Sequence, residues 1–189
     1  MTTTPTPIIS AALVAEKLKK PDLQDLCDAT ELAITQGGGF GWLDVPDRSA
    51  MVRYWDGVLA MPQRHLFLGR VDGTVAGTAQ LVRHPTNNQA QAFVGQITTF
   101  FTAPWARGFG VGQNLLNALQ AHALDLGLHV LQLDVRQTQN AAVALFEKNG
   151  FNCWGQNPLY AQNKAGDMIA GVYYHKIIQP FKGQKTDGL

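Results

Sequence analysis

The segment Pro104-Trp105-Ala106-Arg107-Gly108-Phe109-Gly110-Val111-Gly112 carries the clearest chemical signal in the chain. It joins the end of a β-branched apolar run to the start of a helical one. Amides in the first turn of a helix have no intrahelical partner and lie in a positive end-potential, so they bind phosphate oxygens. Glycines let the backbone approach an anion closely, and Arg107 adds charge. The segment therefore reads as a pyrophosphate site. It is not a Walker A loop, because no Lys-Ser/Thr pair follows. Its glycines are spaced G-x-G-x-G, not the G-x-G-x-x-G of a dinucleotide loop, and it lies mid-chain. Asp134, ending the following strand, keeps the dinucleotide reading open. The plain alternative is a Gly-rich turn that binds nothing.

Several elements must hold this loop in place. Pro21-Asp22 starts a helix predicted over about 21–35, with Leu23, Leu26, Cys27 and Leu32 at helical spacing. Gln36-Gly37-Gly38-Gly39-Phe40-Gly41-Trp42 ends it. Asp47-Arg48-Ser49 caps a second helix through about Leu59. His65–Arg70 and Val75–Val82 read as a hairpin turning at Asp72-Gly73. Residues 92–102 form a long strand that Pro104 stops. Gly110–Leu126 is the helix after the loop, Val130–Val135 a strand and Asn140–Lys148 a helix. Phe151–Gln156 and Met168–Ile178 are the last strands. The order is strand, two helices, three strands, helix, strand, helix, two strands: a mixed α/β (α+β) sheet with helices on both faces.

Arg107-x-x-Gly110-x-Gly112, then Leu115-Leu116, Leu133-x-Val135, Asn140, Ala141-Ala142 and Leu145-Phe146-Glu147-Lys148-Asn149-Gly150-Phe151, resembles the GCN5-related N-acetyltransferase (GNAT) superfamily. The match covers about residues 92–178; before that only the order of elements agrees. The resemblance implies a twisted, mostly antiparallel sheet of about seven strands with one splayed parallel pair. It implies acetyl-coenzyme A as cosubstrate, no metal, and direct transfer to an amine in a ternary complex. Phe101 and Thr102 would offer main-chain groups to the pantetheine arm where the strands splay. Arg107, Gly108, Phe109, Gly110, Val111 and Gly112 would hold the pyrophosphate, with Gln113 close by. Asn140 would hydrogen-bond the pantetheine, and Phe146 would stand on the same cofactor wall. Gln36 to Trp42, Leu133-Asp134, Pro158-Leu159-Tyr160 and Val172-Tyr173-Tyr174-His175-Lys176 are similar to the tabtoxin-resistance acetyltransferase branch. That branch acetylates a small amino-acid-like antimetabolite; acceptor identity is not carried over from it.

Acetyl transfer to an amine needs a deprotonated nucleophile, a polarised thioester and a stabilised leaving thiolate. Relatives take the acid from a Tyr on the second helix after the loop. Phe146 stands at that position and cannot donate a proton. Tyr160, expected on a loop between the last two strands, is the first candidate for the missing hydroxyl; Tyr173 or Tyr174 is the second. Unaided departure of the thiolate, or cofactor binding without catalysis, are the other readings. Relatives often take the base from a Glu on the long strand, where this chain has Gln96 beside Thr98 and Thr99. Gln96 can orient a water but cannot accept a proton at neutral pH. Asp134 is the candidate base, with a structural hydrogen-bonding role as its alternative. Glu31 and Asp44 flank the glycine cluster as ammonium anchors or as solvated charges. Trp42 and Phe40 form a wall of the acceptor pocket or cover the core. His65 and His84 are expected to be exposed; His122, His129 and His175 show no metal spacing.

The net charge of +1 gives no support for a nucleic-acid binder, which needs a basic excess clustered on one face, and no nucleic-acid partner is expected. With 46% apolar and 15% charged residues, the chain can build a core, expected as one domain over 8–178. Residues 1–7 are expected to form a flexible arm and 179–189 a tail. Cys27 and Cys153 have no metal-ligand spacing and read as two buried, reduced thiols. No apolar run approaches the roughly 20 residues of a membrane span, and no secretory signal opens the chain, so a cytoplasmic protein with no membrane partner is expected. A monomer or a homodimer fits equally. The resemblance implies acetyl transfer to an amine, and with it a small-molecule acceptor is expected, whether an amino-acid-like metabolite, an antimetabolite or an antibiotic. The alternatives are a non-catalytic acetyl-coenzyme A sensor or partner domain and a protein N-terminal or lysine acetyltransferase.

Overall fold

The computed structural model describes residues 6–37 and 40–181. Residues 1–5 of the expected arm, Gly38 and Gly39 of the glycine cluster, and 182–189 of the expected tail lie outside the described residues. The elements run β1 (Ile9–Leu13), α1 (Lys20–Thr35), α2 (Arg48–Leu59), β2 (Arg64–Val71), β3 (Thr74–Arg83), β4 (Val94–Thr102), α3 (Val111–Asp125), β5 (Val130–Arg136), α4 (Asn140–Lys148), β6 (Asn152–Gln162) and β7 (Met168–Ile177). They build a sheet of order β1-β2-β3-β4-β5-β7-β6, antiparallel except for β4 against β5.

The sheet is covered on both sides because its strands alternate. Leu66 and Leu68 of β2 face α1 and α2, joining Leu26, Met51 and Trp55. Phe67, between them, faces α3 and joins Leu115, Leu116 and Leu119. Each fully buried Leu of this kind stabilises the fold by about 1.5–3 kcal/mol. Helix α3 lies close to the sheet because Gly69 is beneath it: a Cβ there would come within 2.6 Å of the Val111 side chain. The Asp72-Gly73 turn takes positive φ at both residues, 49° and 87°, which matches the twist of the β2–β3 hairpin.

Two irregularities open the sheet. The parallel β4–β5 ladder pairs Val94–Ile97 with Val130–Leu133 and then stops. Directly beyond, β4 bulges: Thr78 of β3 faces Phe101 and Gln80 faces Thr98, so β4 carries one residue more than its partner. Thr99 takes φ 48° to do so, an unusual conformation for a β-branched residue. The bulge turns β4 away from β5 and leaves a gap between them.

The last hairpin departs from the expectation. Strand β6 extends through Gln162, so Tyr160 lies in a strand and not in a loop. Pro158 does not end it because β6 is an edge strand with β7 on one side, where a missing N–H is tolerated. The register shifts between Asn157 and Ala161, and Tyr160 sits in that bulge. Cys27 is buried as expected, but Cys153 is exposed because the edge strand has no outer neighbour. The chain from 179 onward begins packed: Phe181 stacks on His129 and meets Phe93 edge-on, with centroids 4.7 and 5.2 Å apart.

His65 is half-buried, not exposed, since the C-terminal turn of α3 lies over the start of β2. His122 Nε2 stands 3.0 Å from His65 Nδ1. Burial holds both imidazoles below the ordinary histidine range; Arg83 acts in the same direction, and Asp125 opposes it at His122. The unfolded chain therefore binds protons that the folded pair refuses. Stability from this pair is present above about pH 6.5 and is lost as pH falls below that value. The melting temperature should drop on acidification from about pH 7.5 to about pH 5, and His122→Gln should flatten the drop. An equal drop in both proteins would remove the pair as its cause.

Candidate active site

The loop before α3 has the geometry of an anion cradle. Gly108 and Gly110 both take φ 85°, and Gly110 is the N-cap of α3. No side chain caps this helix end. The first helical bond runs from Asn114 N–H to Gly110 O at 3.0 Å, so the amides of Val111, Gly112 and Gln113 precede the ladder. Gly112 lets α3 approach its neighbours, since a Cβ there would stand 3.2 Å from Leu145 and 3.7 Å from Thr102 Oγ1. Arg107 is exposed beside the loop and donates to Gln36 Oε1 at 3.3 Å.

The gap between β4 and β5 forms a cleft of about 530 Å³. Its lining comes from both faces of the sheet: Phe40 from the α1–α2 side, Ala142 and Phe146 from α4 on the other. Thr98, Thr99 and Phe100 form one edge, Asp134, Val135 and Arg136 the opposite one, and Tyr160 reaches in from β6. Residues 98–102 have β3 on one side and no β5 partner on the other, so main-chain groups are open to an extended chain. Thr98, whose Oγ1 is buried with no partner among the described residues, is one of the lining residues. A smaller cavity of about 210 Å³ adjoins the cleft, sharing Phe40, Leu43 and Arg136 with it.

Three predicted residues meet at this gap. Gln96 Nε2 donates to Asp134 Oδ1 at 3.0 Å, and the Tyr160 hydroxyl donates to Asp134 Oδ2. Asp134 is the first β5 residue beyond the parallel pairing, so no β4 residue stands opposite it in the ladder and its side chain reaches back only to Gln96. Burial, and then the hydrogen bond to Asp134, push the Tyr160 phenol well above its ordinary value, so it stays protonated at neutral pH. Gly171 makes room for it, because a Cβ there would overlap the Tyr160 ring.

The other predicted residues divide. The Phe101 ring is buried on the α1–α2 side, which leaves its main chain toward the gap, and Thr102 follows it. Phe109 is exposed on the loop. The Gln113 side chain bonds Asn117 and Asn149 at 2.9 and 2.8 Å and so ties α3 to the end of α4. Asn140 is exposed as the first residue of α4. Phe146 packs edge-on against Phe100 and Phe151 and brings no hydroxyl. Trp42 stacks on Phe40 and lines the smaller cavity, not the cleft. Glu31 is exposed on α1 and lines neither cavity, and Asp44 pairs with Lys164 at the surface. Tyr174 is buried with its hydroxyl on Glu147 and its pKa pushed up to about 12 by burial and that bond, away from the cleft. Sequence reasoning missed Arg136. Its signal was its spacing, two residues past Asp134 on one strand face. Among the described residues no group of three or more His, Cys, Asp or Glu side chains could hold a metal. No described helix is long and apolar enough to cross a membrane.

Comparison with known proteins agrees with this geometry. Residues 28–151 match the sequence model of the acetyltransferase (GNAT) family. An uncharacterised N-acetyltransferase encoded in the hisH–hisA intergenic region of Azospirillum brasilense is 52% identical over 124 residues, covering 66% of this chain and 74% of that one. A mycothiol acetyltransferase of Paenarthrobacter aurescens is 32% identical over 52% of this chain but only 30% of its own length. Among solved structures, a Salmonella typhimurium protein assigned as an acetyltransferase, determined with its cofactor acetyl-CoA, superposes with a TM-score of 0.73 at 14% identity over 94% of this chain and 98% of that one. An N-acetyltransferase from Staphylococcus aureus Mu50 does so with a TM-score of 0.75 at 17% identity, over 90% and 99%. Anion loop, splayed sheet and matched sequence converge: the chain belongs to the GNAT family of acetyltransferases.

Proposed function

We propose that the protein transfers an acetyl group from acetyl-coenzyme A to the amine of a small molecule, with Asp134 as base and Tyr160 as its hydrogen-bonded proton donor. The observation that carries this reading is the Asp134 carboxylate, held by Gln96 and Tyr160 at the mouth of the gap between β4 and β5. The loop amides at 108–113 fit a pyrophosphate, and the unpaired edge of 98–102 fits a pantetheine arm. When bound, acetyl-coenzyme A supplies an activated acyl group and a thiolate leaving group. Asp134 then attracts the acceptor's ammonium and takes one proton at a carboxylate oxygen; the second proton that the nitrogen loses as the amide forms goes to solvent. Tyr160 keeps its own proton at Oη, available to the leaving group, and can recover it from Asp134 through their hydrogen bond. Phe100 and Phe146 keep water from the reaction without taking part in proton transfer.

A small acceptor fits the cleft better than a protein. Phe40, Leu43, Phe100 and Tyr160 line it, and its volume of about 530 Å³ must also take the end of the pantetheine arm, which leaves metabolite-sized room for an acceptor. Initial rates with free small amines and with lysine-bearing or free N-terminal peptides test this reading. Faster turnover of small amines supports it; a consistent preference for peptides would assign the protein-modifying alternative.

Tyr160→Phe removes the proton but keeps the ring over Gly171. The maximal rate should fall by about 10²-fold or more while acetyl-coenzyme A affinity holds. An unchanged maximal rate would leave the thiolate to depart unaided.

A further inference from the structure

Resting on this reading of the cleft, we propose that Arg136 anchors an anionic group of the acceptor, so that the acceptor is an amine that also carries a carboxylate, as an amino acid does.

Asp134 and Arg136 stand two residues apart on β5 and project to the same side, about 6.6 Å apart along the strand. Both lie beyond the last residue paired with β4, and both line the cleft. Arg136 also lines the smaller cavity and so stands between the two spaces. Its Nη2 donates to the Phe40 carbonyl at 3.0 Å, which fixes the guanidinium in the wall. Among the described residues, no carboxylate pairs with it: the ion pairs there are Arg48–Asp28, Arg70–Asp22 and Lys164–Asp44. Asp134 is turned instead toward Gln96 and Tyr160.

A half-buried guanidinium with one hydrogen bond has unused donors in a fixed fork, the geometry that matches a carboxylate. The carboxylate on its own strand face, Asp134, is engaged by Gln96 and Tyr160, which leaves the guanidinium's remaining donors for an anionic ligand. An amino acid fits both charges at once, with its ammonium toward Asp134 and its carboxylate toward Arg136. The smaller cavity, lined by Ile34, Trp42 and Ile169, then receives a side chain. Lys164, mostly exposed and paired with Asp44, also lines that cavity.

The test uses the full chain with acetyl-coenzyme A and a panel of amino acids, each matched with its amide and its decarboxylated amine. The wild-type protein should favour the acids by about 10- to 100-fold in kcat/KM, the scale of a charge-assisted hydrogen bond. Arg136→Gln should erase that preference, raising KM for the acids by about 10-fold or more beyond any change it makes to KM for the amides. Arg136→Lys should restore part of it. Calorimetric titration of the preferred acid, without turnover, should show the same order of affinities. Equal use of amides and acids by the wild type, or an intact preference in Arg136→Gln, would overturn the anion site while leaving acetyl transfer to small amines in place. A parallel loss of acids and amides in Arg136→Gln would overturn it too, since a positioning role for the Phe40 segment would then suffice. No turnover with any amine would overturn both.

Discussion

Asp134→Asn is expected to lower the maximal rate of amine acetylation by about 10²–10⁴-fold, the range of general-base assistance. The substitution keeps shape and most contacts. Tyr160 can go on donating to the side-chain carbonyl, and the Gln96 amide can turn its oxygen toward the new amide N–H. Acetyl-coenzyme A affinity and melting temperature should therefore stay close to wild type. What goes is the proton acceptor and the negative charge that holds an ammonium. The variant should regain rate as pH rises, about tenfold per unit until the amine's own pKa near 10, because solvent then removes the proton. The wild-type profile should be flatter. A purely structural role for Asp134 predicts a loss that pH does not rescue, accompanied by a lower melting temperature.

The second large effect lies on the other side of the gap. Gly110→Val should reduce acetyl-coenzyme A affinity by about 10²-fold or more, on the scale of losing two charge-assisted amide bonds. Gly110 has φ 85°, where an L residue costs about 1–2 kcal/mol and a β-branched one more. Space is not the obstacle, since a Cβ would meet only the Asn114 side chain at 3.9 Å. The conformation is, and relieving it swings the amides of 111–113 away from the anion. Titration calorimetry reads the affinity, and a thermal melt shows the fold retained. Gly110→Ala should lie between the two proteins. Full affinity in Gly110→Val would remove the loop from the cofactor site.

Both predictions rest on features of unequal legibility. The loop, the Asp72-Gly73 hairpin and the apolar face of α3 were readable because short-range spacing decides them: Leu115, Leu116 and Leu119 are buried as their period requires. The Asp134–Tyr160 pairing was half readable. Both residues were candidates, but Tyr160 was expected on a loop, whereas an edge-strand bulge presents it. That bulge depends on β6 pairing with β7, and Pro158 hides it from local reasoning. For Glu31, nearness in sequence to the glycine cluster does not decide where the side chain points: it stands exposed on α1, as a solvated charge would. Thr99's left-handed backbone and the unpaired Arg136 follow from where β4 stops pairing with β5, a tertiary event that no window of sequence records. Phe146 was read correctly as lacking a hydroxyl, and the structure brings a hydroxyl to the cleft from β6, opposite α4.

The central claim is that the cleft performs acetyl transfer to an amine. Thiol release from acetyl-coenzyme A, followed with and without a panel of small amines, tests it most directly. Mass spectrometry of the products identifies the acetylated amine. The account predicts release that saturates with at least one amine, yields the N-acetyl product in equal amount, and nearly vanishes in Asp134→Asn. Tight acetyl-coenzyme A binding with no amine-dependent release from the wild-type protein would contradict it.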